Sequence, residues 1–242
     1  MNILVTICAR GGSKGIPGKN IKIINNRPLI SYTLEVAEWF AKIYETDIIL
    51  STDSAEIKNV VANLPFKKID ISYTRPEYLS SDTAGKLDTI IDVKNYAQQK
   101  NNKAYDIILD LDVTSPLRTV TDLENSLRLL LENQEAVNLF SVSPANRNPY
   151  FNMVEANEQG FYELCKKGSF LTRQSAPKVY DLNASFYFYK KKFFDENYKS
   201  VITNKSLVYE VPHICFDLDH PIDFEFMTYL LENKRLGFEF NY

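Results

Sequence analysis

Apolar and polar residues follow one another along this chain in blocks that predict strands alternating with helices. Ile3–Ala9 is a continuous apolar run rich in β-branched residues, as expected of a strand buried on both faces. A helix is predicted to open at Pro28, because Ile30, Leu34 and Ala37 recur at helical spacing. The alternation continues with strands at Asp47–Leu50, Ile69–Ser72, Tyr105–Leu111 and Ala136–Val142 and helices at Thr83–Gln99 and Leu127–Leu131. This order implies βαβ units, right-handed crossovers and a mainly parallel sheet.

The alternation stops after Ser143. Residues 144–182 are rich in Pro, Asn, Gln, Lys and Tyr, with short candidate strands at Phe151–Glu155 and Phe161–Leu164. The segment Asn183–Tyr189 is apolar and aromatic, which indicates a return to the sheet. The last predicted elements are the strands Val208–Val211 and Ile214–Asp217 and the helix Pro221–Glu232.

The fold predicted from this order is α/β, with a mainly parallel, doubly wound, Rossmann-like sheet. We assign residues 1–143 and 183–242 to the α/β core and residues 144–182 to an inserted β-rich lobe. Asp53 is predicted to cap the helix that follows the second strand, and Thr121–Glu124 has the pattern of a capping box.

Composition limits the possible partners. The 242 residues carry a formal net charge of −3, so neither nucleic acid nor an anionic membrane is expected to bind, and any phosphate site must be local. The N-terminal apolar run meets Arg10 without a basic leader, and no run approaches ~20 apolar residues, so we expect neither a signal peptide nor a membrane span. Cys8, Cys165 and Cys215 match neither a disulfide framework nor a zinc pattern, which favours free thiols in the cytoplasm.

The loop Arg10–Asn20 follows the first predicted strand and is rich in glycine. Ligands bind at this edge of an open α/β sheet, and glycines let backbone N–H groups approach phosphate oxygens. Arg10, Lys14 and Lys19 add three positive charges. The loop matches neither the GxxxxGK[ST] nor the GxGxxG pattern. A surface turn with solvated charges is the alternative, but the three cations at a strand end favour phosphate binding.

Asp217 and Asp219 are a candidate metal pair. They lie two positions apart at the end of the predicted strand Ile214–Asp217, so their side chains are expected on one face. Two carboxylates there would suit Mg²⁺, which triphosphate chemistry requires. The alternative is that Asp219 merely caps the last helix, because it precedes His220 and Pro221.

The sequence resembles the acylneuraminate cytidylyltransferases, the enzymes that make CMP-sialic acid. The loop Arg10–Asn20 is similar to their nucleotide-binding signature. Four further stretches match in the same order: Ser51–Asp53, Arg75–Ala84, Thr114–Arg118 and Phe216–Asp219. Each motif alone is weak, but the resemblance covers almost the whole chain and is specific when the motifs are taken together.

The resemblance implies a reaction and an assembly. CTP and an acidic nine-carbon α-keto sugar would be the substrates, and CMP-sugar and pyrophosphate the products. Catalysis is assigned to Arg10, Lys19 and Asp217, with Mg²⁺ as the cofactor. The family typically forms homodimers through an insertion like that at 144–182, where exposed aromatic residues would supply an apolar patch: Phe151, Phe161 and Tyr162.

The resemblance also assigns binding roles to individual residues. The predicted nucleotide-binding residues are Arg10, Gly11, Gly12, Ser13, Lys14, Lys19, Asn20, Arg75 and Asp82. The predicted sugar-binding residues are Asp112, Thr114, Arg173, Gln174 and Asn183. The predicted metal ligands are Asp217 and Asp219.

The acceptor half of the pattern departs from that of the sialic-acid enzymes. Asp112 and Val113 replace the first two residues of their Gln-Pro-Thr-Ser-Pro motif, and a carboxylate cannot donate the hydrogen bonds that an amide can. Lys86 stands where those enzymes carry serine, and Asp181 where they tend to carry arginine. Lys178–Ser185 looks closer to the branch that acts on legionaminic acid.

Three alternatives remain open. One is a nucleotidyltransferase for another sugar acid, such as pseudaminic acid or Kdo. Another is a non-catalytic nucleotide-binding protein, against which the retention of Asp217 and Asp219 counts. The third is a glycosyltransferase, because Asp110–Asp112 places an Asp-x-Asp motif after a central strand. The basic loop after the first strand suits a triphosphate donor better.

Overall fold

A seven-stranded sheet forms the centre of the computed structural model, which describes residues 1–12, 15–81 and 83–240. The strands are β1 (Ile3–Cys8), β2 (Ile23–Ile24), β3 (Arg27–Pro28), β4 (Thr46–Ser51), β5 (Ile69–Asp70), β6 (Ile107–Asp112), β7 (Asn138–Pro144), β8 (Val154–Ala156), β9 (Tyr162–Leu164), β10 (Tyr180–Lys190) and β11 (Ser206–Glu210). The helices are α1 (Leu29–Ile43), α2 (Ala55–Ala62), α3 (Lys86–Asn101), α4 (Val120–Glu132), α5 (Lys191–Asp195) and α6 (Pro221–Glu232).

The strand order of the sheet is β11-β7-β10-β6-β1-β4-β5. All neighbours in it pair in parallel except β10, which runs antiparallel to both β6 and β7. The mainly parallel α/β fold predicted from the sequence is therefore confirmed. β1 lies between β4 and β6, so the segments that follow these three strands meet at one edge of the sheet.

Helices cover both faces of the sheet. On one face, Val5 and Ile7 of β1 join the larger core with α1, α4 and α6. On the other face, Leu4 and Ile49 join a smaller core with Val93 of α3 and with α5. This double cover explains why β1 is apolar at almost every position. No helix in the described ranges is both long and apolar enough to cross a membrane.

The structure corrects three local predictions. Ser54, not Asp53, caps α2, since its hydroxyl accepts a hydrogen bond from Ile57 N. The capping box of α4 pairs Thr119 with Asp122 and does not begin at Thr121. Residues 214–217 form no strand; this segment instead crosses the carboxyl edge of the sheet, where Leu218 N donates to Thr114 O at 2.8 Å.

The β8–β9 hairpin lies within the predicted lobe at 144–182. Its aromatic side chains Phe161 and Tyr162 are 72% and 74% exposed, whereas Phe151 is half-buried, so the predicted exposure of Phe151 was wrong. The pairing of β7 with β10 begins at Pro144 and Tyr180, slightly inside the predicted lobe boundary.

His213 contacts a carboxylate at the start of α4. Its Nε2 lies 2.9 Å from Oδ2 of Asp122, the residue that also closes the capping box of α4. Burial disfavours the charged imidazole, but the hydrogen bond and the charge of Asp122 outweigh burial and raise the pKa of His213. The pair ties the start of α4 to the segment after β11.

Candidate active site

A cleft of about 460 Å³ opens at the carboxyl ends of β1 and β6. The polar side chains on its wall are Arg10, Lys19, Asn20, Arg75, Ser81, Lys86, Thr89, Asp112, Thr114 and Asp219. The structure thus brings together charged residues from distant segments at the edge where α/β sheets bind ligands.

The basic loop is anchored to the neighbouring strand end at Gly11. Gly11 N donates to Asp53 Oδ1 at 2.9 Å, so Asp53 holds the loop instead of capping α2. A Cβ atom on Gly11 would lie only 3.0 Å from Ser54 Cβ, which explains why the close approach requires glycine. Gly12 is exposed beside it, whereas Ser13 and Lys14 lie outside the described residues.

Lys19 and Asn20 lie in a short 3₁₀ turn that begins after Gly18. Gly18 has φ 64°, a left-handed conformation that favours glycine. Asn20 is buried and its amide donates to Arg10 O at 2.9 Å, so it braces the loop from within. The ammonium of Lys19 lies 3.1 Å from Asp219 Oδ1, which brings the basic loop against the predicted metal pair.

Arg75 is held by the end of β4. Its Nε donates to Ser51 Oγ at 3.0 Å, and its second terminal nitrogen donates to Ser51 O at 2.9 Å. The side chain is buried, yet it lines the cleft, so its positive charge is fixed before any ligand binds. Asp82, which the sequence also assigned to the nucleotide, lies outside the described residues.

Asp217 and Asp219 differ in their surroundings. One oxygen of Asp217 is buried and, within the described residues, accepts no hydrogen bond. Burial, followed by repulsion from Asp112, raises the pKa of Asp217. The Asp219 side chain is 62% exposed. A buried carboxylate oxygen without a partner and an exposed carboxylate beside it fit Mg²⁺, which proteins hold through one or two carboxylates plus substrate phosphates. The described residues contain no cluster of three or more side chains that could hold a metal ion. A site made of two carboxylates and completed by substrate phosphates does not need a third side chain.

Asp112 and Thr114 form the cleft wall after β6. Asp112 Oδ1 accepts hydrogen bonds from Thr114 N at 2.7 Å and Thr114 Oγ1 at 2.8 Å. The ammonium of Lys86 lies 2.6 Å from Asp112 Oδ2 and 2.9 Å from Asp110 Oδ2. The two carboxylates of the Asp-x-Asp motif, which suggested a glycosyltransferase metal site, therefore contact a lysine of the chain itself.

The cytidylyltransferase family model matches residues 4–236. The chain belongs to the cytidylyltransferase family. It is 37% identical over 234 residues to the post-translational flagellin modification protein B of Campylobacter coli, covering 97% of each chain. It is 36% identical to the CMP-N,N'-diacetyllegionaminic acid synthase of Campylobacter jejuni, again over 97% of each chain. In fold it is similar to a CMP:2-keto-3-deoxy-manno-octonic acid synthetase complexed with CTP, with TM-score 0.68, 17% identity and coverage of 97% of this chain and 100% of that one.

Three residues of this cytidylyltransferase that were assigned to the sugar do not line the cleft. Arg173 and Gln174 are exposed in a 3₁₀ turn of the lobe, where Arg173 donates to Ala145 O at 2.7 Å. Asn183 is buried; its amide receives a hydrogen bond from Ser141 Oγ at 2.6 Å and donates to Ser143 Oγ at 3.0 Å. Their contacts with the sugar stay a prediction.

The sequence indicates Arg118 only as the last residue of a motif, yet this arginine supports the cleft wall at Asp112. It is fully buried and donates from one terminal nitrogen to Ser115 O at 2.8 Å and Ser185 O at 2.6 Å. The other terminal nitrogen donates to Asp112 O and Thr33 Oγ1, each at 2.6 Å. Burial lowers the pKa of Arg118 to about 10. The sequence signal was a lone arginine at the end of an otherwise uncharged loop.

Proposed function

We propose that this cytidylyltransferase transfers CMP from CTP to a nine-carbon α-keto acid sugar of the legionaminic or sialic acid type and releases pyrophosphate. The observation that carries the proposal is the contact of Lys19 with Asp219 in a cleft that also holds Arg10 and Arg75. Full-length similarity to a CMP-N,N'-diacetyllegionaminic acid synthase supports the choice of acceptor.

In this reaction the anomeric hydroxyl oxygen of the sugar forms a bond to the α-phosphorus of CTP, and the bond to the bridging oxygen of pyrophosphate breaks. Arg10 and Lys19 stabilise the charge that develops on the phosphates and on the leaving group. Arg75 contributes a charge already fixed by Ser51. Asp217 and Asp219 would hold Mg²⁺, which would neutralise phosphate charge and make the attacking hydroxyl more acidic. The remaining contribution of the protein is to orient the two substrates in the cleft.

Pyrophosphate release tests this function directly. The four nucleoside triphosphates are each combined with sialic, legionaminic and pseudaminic acids and Kdo, with and without Mg²⁺. We expect release with CTP at least about 100-fold faster than with the other triphosphates, because a site that pairs with base polar groups rejects analogues that leave them unpaired. Sialic or legionaminic acid should be the best acceptor, and omission of Mg²⁺ should abolish release. If CTP gives no release with any of the acceptors, the proposal is contradicted. If release is fastest with pseudaminic acid or Kdo, the proposed acceptor is wrong and that sugar acid takes its place.

We also infer that the protein is a cytoplasmic homodimer. The lobe would join its two copies of the chain. Its exposed apolar residues support this inference: Met153, Val154, Phe161, Tyr162 and Leu171. Exposed apolar side chains concentrated in one segment are typical of association sites.

Light scattering at micromolar concentration should give twice the 27.9 kDa mass of one chain. Phe161→Asp places a charge in the lobe surface and should shift the mass towards one chain, since a buried unpaired charge opposes association. Ile222→Asp, at a residue 63% exposed on α6, is the matched control and should leave the mass unchanged. A wild-type monomer, or an effect confined to the control, contradicts the lobe interface.

A further inference from the structure

Lys86 occupies a position that its helix does not favour. It is the first residue of α3, where the partial positive charge of the helix N-terminus disfavours a cation. Its side chain extends instead to the end of β6, where the ammonium contacts Asp110 at 2.9 Å and Asp112 at 2.6 Å. The two carboxylates, and not the helix, therefore account for a lysine at this position.

Asp110 depends on this lysine. Its side chain is fully buried in the central strand, and Thr6 Oγ1 donates to Oδ1 at 2.7 Å. In the described part of the chain no hydrogen bond reaches Asp110 Oδ2, and the charge that faces it there is the Lys86 ammonium. A buried carboxylate that loses its cation takes up a proton or destabilises the fold. Lys86 therefore supplies the positive charge that faces Asp110 in the core.

Asp112 is held by the same ammonium but faces the cleft. Thr114 holds one of its oxygens and Lys86 the other, so the carboxylate cannot rotate freely. Burial would raise its pKa, but the Lys86 charge and the Thr114 hydrogen bonds outweigh burial and lower the pKa of Asp112 to about 2. The group is thus an oriented carboxylate that accepts hydrogen bonds and donates none.

We propose that Lys86 is a positioning residue for the acceptor: it fixes Asp112 as an anionic hydrogen-bond acceptor in the cleft, so that the site selects sugars that present an N–H or O–H donor there. The inference rests on the proposed function. An acceptor analogue without that donor leaves a carboxylate unpaired on binding, which is more costly than the loss of a neutral contact.

The first test reads the carboxyl groups themselves and does not depend on turnover. Carbon-13 NMR follows the side-chain carboxyls of the whole protein from pH 5 to 8 in wild type, Lys86→Met and Lys86→Arg; Lys94→Met, farther along α3, is the matched control. The charged or titratable groups that surround Lys86 are Cys8, Asp110, Asp112, Tyr187 and Tyr189. We expect Asp112 not to titrate in this range in wild type or the control, and one carboxyl to titrate in it in Lys86→Met. Lys86→Arg should restore the wild-type profile.

The second test separates the acceptor from the donor in steady-state kinetics. Lys86→Met should raise KM for the sugar about 10- to 100-fold, as expected when a charged hydrogen bond is lost, while the affinity for CTP measured by calorimetry stays within about threefold. The activity of Lys86→Met should also fall as the pH is lowered from 8, because its carboxyls gain protons. An unchanged carboxyl titration, or a loss confined to CTP binding, overturns the proposal. A wild type inactive with every sugar refutes the proposed function, whereas the NMR titration still decides the role of Lys86.

Discussion

Asp217→Asn should lower turnover about 100- to 1000-fold, the loss typical of removing one preorganised electrostatic contact from an active site. The substitution keeps the size of the side chain and removes the negative charge that would hold Mg²⁺ beside Asp219. Turnover is measured as pyrophosphate release at saturating CTP across a Mg²⁺ titration. We expect the loss to persist at high Mg²⁺, because an amide oxygen is a much weaker ligand for a hard cation than a carboxylate.

The same substitution should raise thermal stability in metal-free buffer. Burial raises the pKa of Asp217 in the folded protein, so at neutral pH the charged carboxylate destabilises the folded state. This penalty is present above the folded pKa and disappears as the pH falls below the unfolded value, so the gain in melting temperature should shrink on acidification. Opposite changes in turnover and stability would mark Asp217 as a group retained for function at the expense of stability.

Glu225→Gln is the matched control, since it removes the same charge from an exposed position of α6. It should alter neither turnover nor melting temperature measurably, because isolated surface charges contribute little to stability. Near-wild-type turnover of Asp217→Asn would contradict the assignment of Asp217 to catalysis. A fall in its melting temperature would show that the buried oxygen has a stabilising partner.

The fold was predictable where burial leaves a strong pattern in the sequence. β1 is covered by helices on both faces and is therefore continuously apolar, and α1 begins where the proline and the helical spacing placed it. The segment 214–217 was mistaken for a strand because an apolar run does not reveal whether a neighbouring strand is available to pair with it. In the structure β11 ends at Glu210, and the chain then crosses the sheet edge with one backbone hydrogen bond to Thr114.

The site was predictable where local sequence places charge at a strand end. The basic loop after β1 is an example, because glycines and cations are adjacent in the chain. The contact of Lys86 with Asp110 and Asp112 was not predictable, since it joins a helix start to a strand that follows it in sequence. The burial of Arg118 was missed for another reason: arginine is ordinarily exposed, and nothing local shows that carbonyl oxygens converge on it.

Arg118→Met should destabilise the protein by about 3–5 kcal/mol, because it removes a fully buried guanidinium together with several hydrogen bonds, and a hydrogen bond to a charged group is worth about 1.5–3 kcal/mol. The bonds reach the carbonyl oxygens of Asp112 at the end of β6, of Ser115 in the loop that follows, and of Ser185 within β10. A loss of this size is a large fraction of the stability of a typical domain, so the variant is expected to be partly unfolded at physiological temperature. Urea unfolding followed by circular dichroism measures the effect.

Two companion variants make the Arg118 result interpretable if Arg118→Met does not fold. Arg118→Lys keeps the charge but carries all its donors on one nitrogen, which cannot reach both sets of acceptors that the two terminal nitrogens of Arg118 serve, so it should fold with an intermediate loss of stability. Because Arg118 supports the Asp112 and Ser115 backbone, this variant should also raise KM for the sugar without an equal change in CTP affinity. Arg128→Met, at an exposed position of α4, is the control and should change stability by less than about 0.5 kcal/mol. If Arg118→Lys were as stable and active as wild type, the two-directional donation seen in the structure would not be what holds the cleft wall in place.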